Sequence, residues 1–102
     1  MGIEVVLEDE QGNAIENAID PTNMLHKILP APEDGMFRYL NRIDWYGDTT
    51  FNRLQMDGLR NELDRLSKTL TASREIELLK RIDEFAARCQ SKPHLYVKFY
   101  GD

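Results

Sequence analysis

The sequence predicts an α+β fold, a small and mainly antiparallel sheet covered on one face by an antiparallel pair of helices. Three observations carry this. Residues 3–8 and 94–100 alternate apolar and polar side chains, the period of a half-buried strand. Residues 58–70 and 74–90 instead place apolar side chains at steps of three and four, the period of a helix with one buried stripe. Only a few residues separate those two segments, which makes them an αα-hairpin.

Taken in order, Ile3, Val5 and Leu7 share one face of the first strand, and Glu4, Val6 and Glu8 the other. Asp9-Glu10-Gln11-Gly12-Asn13 supplies a turn, with Gly12 available for positive φ. Residues 14–19 return as its hairpin partner. Asp20-Pro21 starts a short helix over about 21–29, because an Asp accepts from first-turn amides and Pro suits the first helical position. Met24, Leu25, Ile28 and Leu29 form its apolar face, and Pro30 and Pro32 stop it. A helical turn is expected near Met36–Arg42, capped by Asp34, since a compact domain rarely leaves about twenty residues without structure.

Residues 49–55 are the candidate fourth strand. A single helix from Phe51 to Leu70 is the alternative, with Gly58 in its interior at a cost of about 1 kcal/mol. We expect the split, with Asp57 as N-cap and Gly58 as the first helical residue, because an Asp-Gly pair is a natural boundary. In the first hairpin helix, Leu59, Leu63, Leu66 and Leu70 form the buried stripe. Arg60, Asn61, Glu62, Asp64, Arg65 and Lys68 form the solvated side. Thr71-Ala72-Ser73 caps the second helix, whose stripe is Ile76, Leu78, Leu79, Ile82, Phe85, Ala86 and Cys89. Ser91-Lys92-Pro93 ends it. In the last strand Leu95, Val97 and Phe99 face one way, and His94, Tyr96, Lys98 and Tyr100 the other. Lys98 can lie across from Glu4 or Glu8 if the terminal strands are neighbours.

The 102 residues suit one domain with one core. Cys89 is the only cysteine, which excludes an internal disulfide and fits a reducing, cytoplasmic setting. One Cys and two His cannot build a Cys/His zinc site. No apolar run is long enough for a bilayer, and Met1-Gly2-Ile3-Glu4 has no basic and apolar leader pattern. Residues 1–50 carry ten acidic and three basic side chains, a balance of −7; residues 51–102 carry eight and ten, a balance of +2. Net acidity argues against nucleic acid as partner and permits a basic protein. It also serves solubility alone.

The residues with most chemistry lie in Asp44-Trp45-Tyr46-Gly47-Asp48-Thr49-Thr50-Phe51-Asn52-Arg53. Asp44 and Asp48 can act as a carboxylate pair, holding a hard cation or serving as acid and base. They equally suit turn and capping roles. Trp45 and Tyr46 can form a contact platform or pack the loop onto the sheet. Arg53 matters if it reaches the Asp44/Asp48 loop. His94, Tyr96, Lys98 and Tyr100 form a polar, aromatic face, readable as a small active site, an interaction surface, or an ordinary solvent face. Cys89 falls in register with the buried stripe and reads as an inert thiol. No phosphate loop, metalloprotease helix, serine elbow or CxxC is present, and no cofactor is implied.

The segment Asp44-x-Tyr46-Gly47-Asp48-Thr49-x-Phe51-Asn52-Arg53-Leu54-Gln55, with a terminal His94-Leu95-Tyr96-x-x-Phe99-x-Gly101-Asp102, resembles a group of small bacterial proteins to which no activity is attached. The resemblance spans nearly the whole chain and implies a bacterial cytosolic protein of one domain; it assigns no site residue. The leading expectation is a non-enzymatic binding module of immunity or antitoxin type. Its contact residues would be Asp44, Trp45, Tyr46, Asp48, Arg53, His94, Tyr96 and Lys98. The alternatives are a small hydrolase or metal-dependent enzyme using Asp44, Asp48 and His94, and a regulatory homodimer.

Overall fold

The computed structural model describes residues 2–18, 20, 22–31 and 33–101. Met1, Ile19, Pro21, Pro32 and Asp102 lie outside them. The expectations for the end of the second strand, the start and stop of the first helix, and the last motif residue fall partly there.

The chain forms a four-stranded antiparallel sheet and an αα-hairpin, as its periodicities require. The strands are β1 (Glu4–Asp9), β2 (Ala14–Ala18), β3 (Asp48–Phe51) and β4 (Leu95–Tyr100), in the order β2-β1-β4-β3. The helices are α1 (Met24–Ile28), α2 (Met56–Ser67) and α3 (Ser73–Ser91), with single 3-10 turns at Leu40–Arg42 and Arg53–Gln55. The first and last strands lie side by side, Val6 opposite Lys98, so Lys98 sits diagonally between Glu4 and Glu8. α3 lies against β1, β2 and β4, and α2 packs chiefly on α3. Ile3, Val5, Leu7, Val97 and Phe99 meet the helical stripes in one apolar cluster.

Local chemistry explains the boundaries. The Asp9 carboxylate accepts from the backbone N–H groups of Gln11 and Asn13, and Gly12 takes φ 84°, closing the first turn. The Asp20 carboxylate accepts from Met24 and Leu25 N–H, but the helix begins at Met24 rather than at position 21, and Asn23, at φ 55°, stands in the N-cap position. Leu29 is extended at ψ 143°, the conformation that a following proline imposes. Asp34 accepts from Met36 N–H, but the helical turn of this region forms later, at Leu40–Arg42.

Three expectations are corrected. The fourth strand ends at Phe51, because Asn52 closes a capping box: its side chain accepts from Leu54 N–H while the Gln55 side chain accepts from Asn52 N–H. The helical path therefore starts at Arg53 and runs through Asp57-Gly58, which is no boundary. Gly58 is there for space, since a Cβ would lie 2.1 Å from Cε2 of Tyr39. Glu62 is not on a solvated side; it is 3% exposed. Its carboxylate accepts from Arg38 N–H at 2.7 Å, from Leu40 N–H at 2.9 Å and from Tyr39 N–H at 3.0 Å. It thereby supplies acceptors for the free amides that open a helical turn. Arg60 is likewise engaged, its guanidinium reaching Asp83 at 2.9 Å and Gln90 at 3.0 Å across the hairpin.

Candidate functional site

A sheet with helices on one side exposes its other side. Alternation along β1 and β4 puts Glu4, Val6, Glu8, Tyr96, Lys98 and Tyr100 on that open face, joined by Asp48 and Thr50 of β3. No described helix packs over it. The pairing places Glu8 opposite Tyr96, Glu4 and Asp48 on either side of Tyr100, and Thr50 opposite Lys98.

At the centre lies a linked set of polar groups. Glu8 is only 6% exposed although it sits on the open face. The Tyr100 hydroxyl donates to its carboxylate, and this bond, with partial burial, raises the phenol above its ordinary range. The Lys98 ammonium lies 4.8 Å from the Tyr100 ring centre and 3.9 Å from the Asp48 carboxylate. It is held charged above the usual lysine range by the Tyr100 side chain first, then by the negative charge of Glu8 and Asp48. Two carboxylates, Glu8 and Asp48, therefore act on one cation. Val6, opposite both Lys98 and Asn17, is shut from water although it faces away from the core. The long side chains around it account for that burial.

The eight expected contact residues divide into two ends and a middle. Tyr96, Lys98 and Asp48 belong to the open face. Asp44, Trp45 and Tyr46 form the turn before β3, beside the end of β4. There Gly101 N–H donates to Gly47 C=O at 2.7 Å. Gly101 has to be glycine, since a Cβ would stand 2.4 Å from the Trp45 backbone. The Asp44 carboxylate accepts from Tyr46 N–H, and Asp44 N–H donates to Thr49 Oγ1, so this residue first serves its own turn. Trp45 is half-buried against the core, its ring 4.5 Å from that of His26. Tyr46 is open to solvent.

Arg53 and His94 lie at the far end of the sheet. Asp48 pairs with Tyr100 and Phe51 with Val97, so Arg53 leaves β3 near the start of β4. No ion pair joins it to Asp44 or Asp48 among the described residues. His94 Nδ1 lies 3.3 Å from the Glu10 carboxylate. Six residue steps, five of them within β4, separate His94 from Tyr100, roughly 20 Å at the usual strand rise. Asp44, Asp48 and His94 thus do not meet in one constellation. Among the described residues no three His, Cys, Asp or Glu side chains are grouped to hold a metal ion.

Two clefts lie elsewhere. One of about 530 Å³ opens between α2 and α3, with Leu63, Ile76 and Leu79 as floor and Asp57, Arg60 and Asp83 on the rim. Another of about 490 Å³ lies by Met24 and Leu78, with Arg74 and Arg81. None of the eight residues lines either. Cys89 is buried, its thiol donating to Leu95 C=O at 3.0 Å, and burial pushes it up to about 11. A thiol held neutral in this way is no nucleophile.

Sequence reasoning placed Tyr100 on this face and Glu8 as a possible neighbour of Lys98, but counted neither among the contact residues. Their positions on alternating strands were visible, and so was the idea that Lys98 faces a β1 carboxylate. What was lacking was the reach of the Tyr100 side chain, which stands opposite Glu4 in the ladder yet donates to Glu8. Compared with protein-family models, curated proteins and solved structures, the chain matches none. Among the described residues no helix is long and apolar enough to cross a membrane.

Proposed function

We propose that this protein is a non-enzymatic binding module that engages a basic protein through the open face of its sheet. The observation carrying this reading is the set Glu8, Tyr100, Lys98 and Asp48: a face left without a cover, fixed by a hydrogen bond and an ion pair and carrying more carboxylates than cations. Fixed tyrosines offer contact area at low entropic cost, and a cation approaching Tyr96 or Tyr100 meets both an aromatic face and nearby carboxylates. Electrostatic attraction would speed association and fade with salt. In keeping with the resemblance of residues 44–55 and 94–102 to small bacterial proteins, the proposal includes a bacterial cytoplasm and a role of immunity or antitoxin type. The separation of His94 from Asp44 and Asp48 weighs against the hydrolytic alternative.

Amide chemical shifts recorded while an arginine-rich peptide is added at low salt test the reading. Changes should concentrate on Val6, Glu8, Tyr96, Lys98, Tyr100 and Thr50, and shrink at high salt, while an acidic peptide of equal length leaves them unmoved. Shifts confined to the cleft between α2 and α3, or none at all, would contradict it.

A further inference from the structure

The stretch that held most of the sequence's chemistry is only partly used by the open face. Arg53, Leu54 and Tyr46 remain, and all three flank β3. That strand is an edge of the sheet. Gly101 N–H donates to Gly47 C=O, and the register continues as Asp48↔Tyr100, Thr49↔Phe99 and Thr50↔Lys98. Antiparallel ladders alternate between bonded and non-bonded pairs. The bonded pairs are thus 47 with 101, 49 with 99 and 51 with 97, and the backbone N–H and C=O groups of Asp48 and Thr50 point outward. No described residue occupies them.

An uncovered edge is usually blunted by short length, a charged side chain, proline or a bulge. The other edge, β2, has such protection: its pairing is interrupted at Leu7/Glu8, and Glu16 is tied to Arg81 and Arg88 of α3. β3 is short and carries Asp48, but it has neither proline nor bulge, and the charges at its two ends are opposite. Asp44 and Asp48 stand at its start with Tyr46, which is 75% exposed; Arg53 stands at its end with Leu54, which is 82% exposed. Such an edge is complementary to itself when reversed.

We infer that β3 pairs with the β3 of a second copy of this chain, antiparallel about a two-fold axis. Asp48 and Thr50 of one copy pair with Thr50 and Asp48 of the other, which satisfies all the outward backbone groups of both. The same operation lays the turn at Asp44–Gly47 against the turn at Arg53–Gln55. Arg53 then meets the Asp44 and Asp48 carboxylates that it cannot reach within its own chain, and Leu54 meets Tyr46. Every contact occurs twice, as a two-fold interface demands. The result is one continuous eight-stranded sheet, with both open faces on the same side. The edge and the open face are separate surfaces, so this inference stands whether or not a basic protein binds the face.

Sedimentation equilibrium from low micromolar to about millimolar protein tests it, over a range that spans weak association. Wild type should reach twice the 11.9 kDa mass of one chain. Thr50→Pro removes an outward N–H and leaves the intrachain ladder whole, so it should give a folded monomer. Arg53→Glu changes an exposed side chain and turns two attractive contacts into repulsive ones; self-association should weaken roughly tenfold or more. Circular dichroism confirms folding of both, and Arg53→Glu alone decides the matter if Thr50→Pro does not fold. Wild type that stays monomeric throughout would overturn the inference. So would a dimer that persists in folded Arg53→Glu.

Discussion

Glu62 and Glu8 are both carboxylates withdrawn from water, yet their surroundings share little. Glu62 lies where α2 meets the loop before β3 and is surrounded by backbone: three consecutive N–H groups point at it. Its charge is used up inside the fold. Glu8 lies on the open face and has a single phenol as hydrogen-bond donor, with a lysine beyond that ring. Its charge is shared with groups that line a surface. One carboxylate organises a loop, and the other gives a face its sign. Burial alone does not distinguish the two settings; the identity of the donors does.

The largest effect is expected where the charge is internal. Glu62→Ala removes the acceptor for three amides, and unfolding by denaturant should show a loss of about 3 kcal/mol or more, since each buried unsatisfied group costs about 1–3 kcal/mol. Glu62→Gln should recover part of that loss. A change below about 1 kcal/mol for Glu62→Ala would mean that water replaces the carboxylate.

Next comes Gly58→Ala, in the same junction. Alanine gains about 1 kcal/mol of helix propensity. Its Cβ collides with the Tyr39 ring, and overpacking costs typically about 1–3 kcal/mol. The balance should be a net destabilisation. A more stable variant would show that the ring moves aside freely.

On the open face the effects on stability should be smaller. Tyr100→Phe removes one hydrogen bond to a carboxylate, and on this half-open face the loss should lie near the lower end of the range of about 1.5–3 kcal/mol for such bonds. The bond also carries a pH signature. The Tyr100 phenol is raised in the fold by donating to Glu8, so its contribution is complete below its ordinary pKa near 10 and is lost as pH rises through the folded value. Wild type should lose more stability than Tyr100→Phe above pH 10 in pH-dependent melting. Parallel curves would mean that the hydroxyl is not bonded to Glu8.

Smallest for the native state is the expectation for Cys89, whose thiol is pushed up to about 11 by burial. At pH 8 a thiol reagent should leave folded protein nearly unmodified and react fully once denaturant is added. Rapid native labelling would place Cys89 outside the core.

The sheet and hairpin were legible because their signals are periodic: alternation in residues 3–8 and 95–100, and leucines at helical spacing in 59–66. The break at Asp57-Gly58 was misread because a glycine beside an aspartate has two physical meanings. One is a helix boundary. The other is room for a neighbour, and Tyr39 is nineteen positions away in sequence, where no local rule looks. Glu62 was misread for the same reason, since its partners are amides more than twenty residues upstream. The open face was legible as an alternation on one strand. Its network was not, because it depends on β1 and β4 pairing across almost the full chain. Asp44, Asp48 and Arg53 look like a cluster in sequence, but a four-residue strand holds their ends apart.

Affinity capture from an extract of its native cell tests most directly whether the open face recognises a basic protein. Wild type should be compared with the double variant Glu4→Lys/Tyr96→Ala, which alters side chains outside the core and should fold normally. Wild type should retain a basic protein in stoichiometric amount, released by salt, and the folded double variant should lose it. If no such protein is retained, or if both forms hold it equally, the face is not the binding surface.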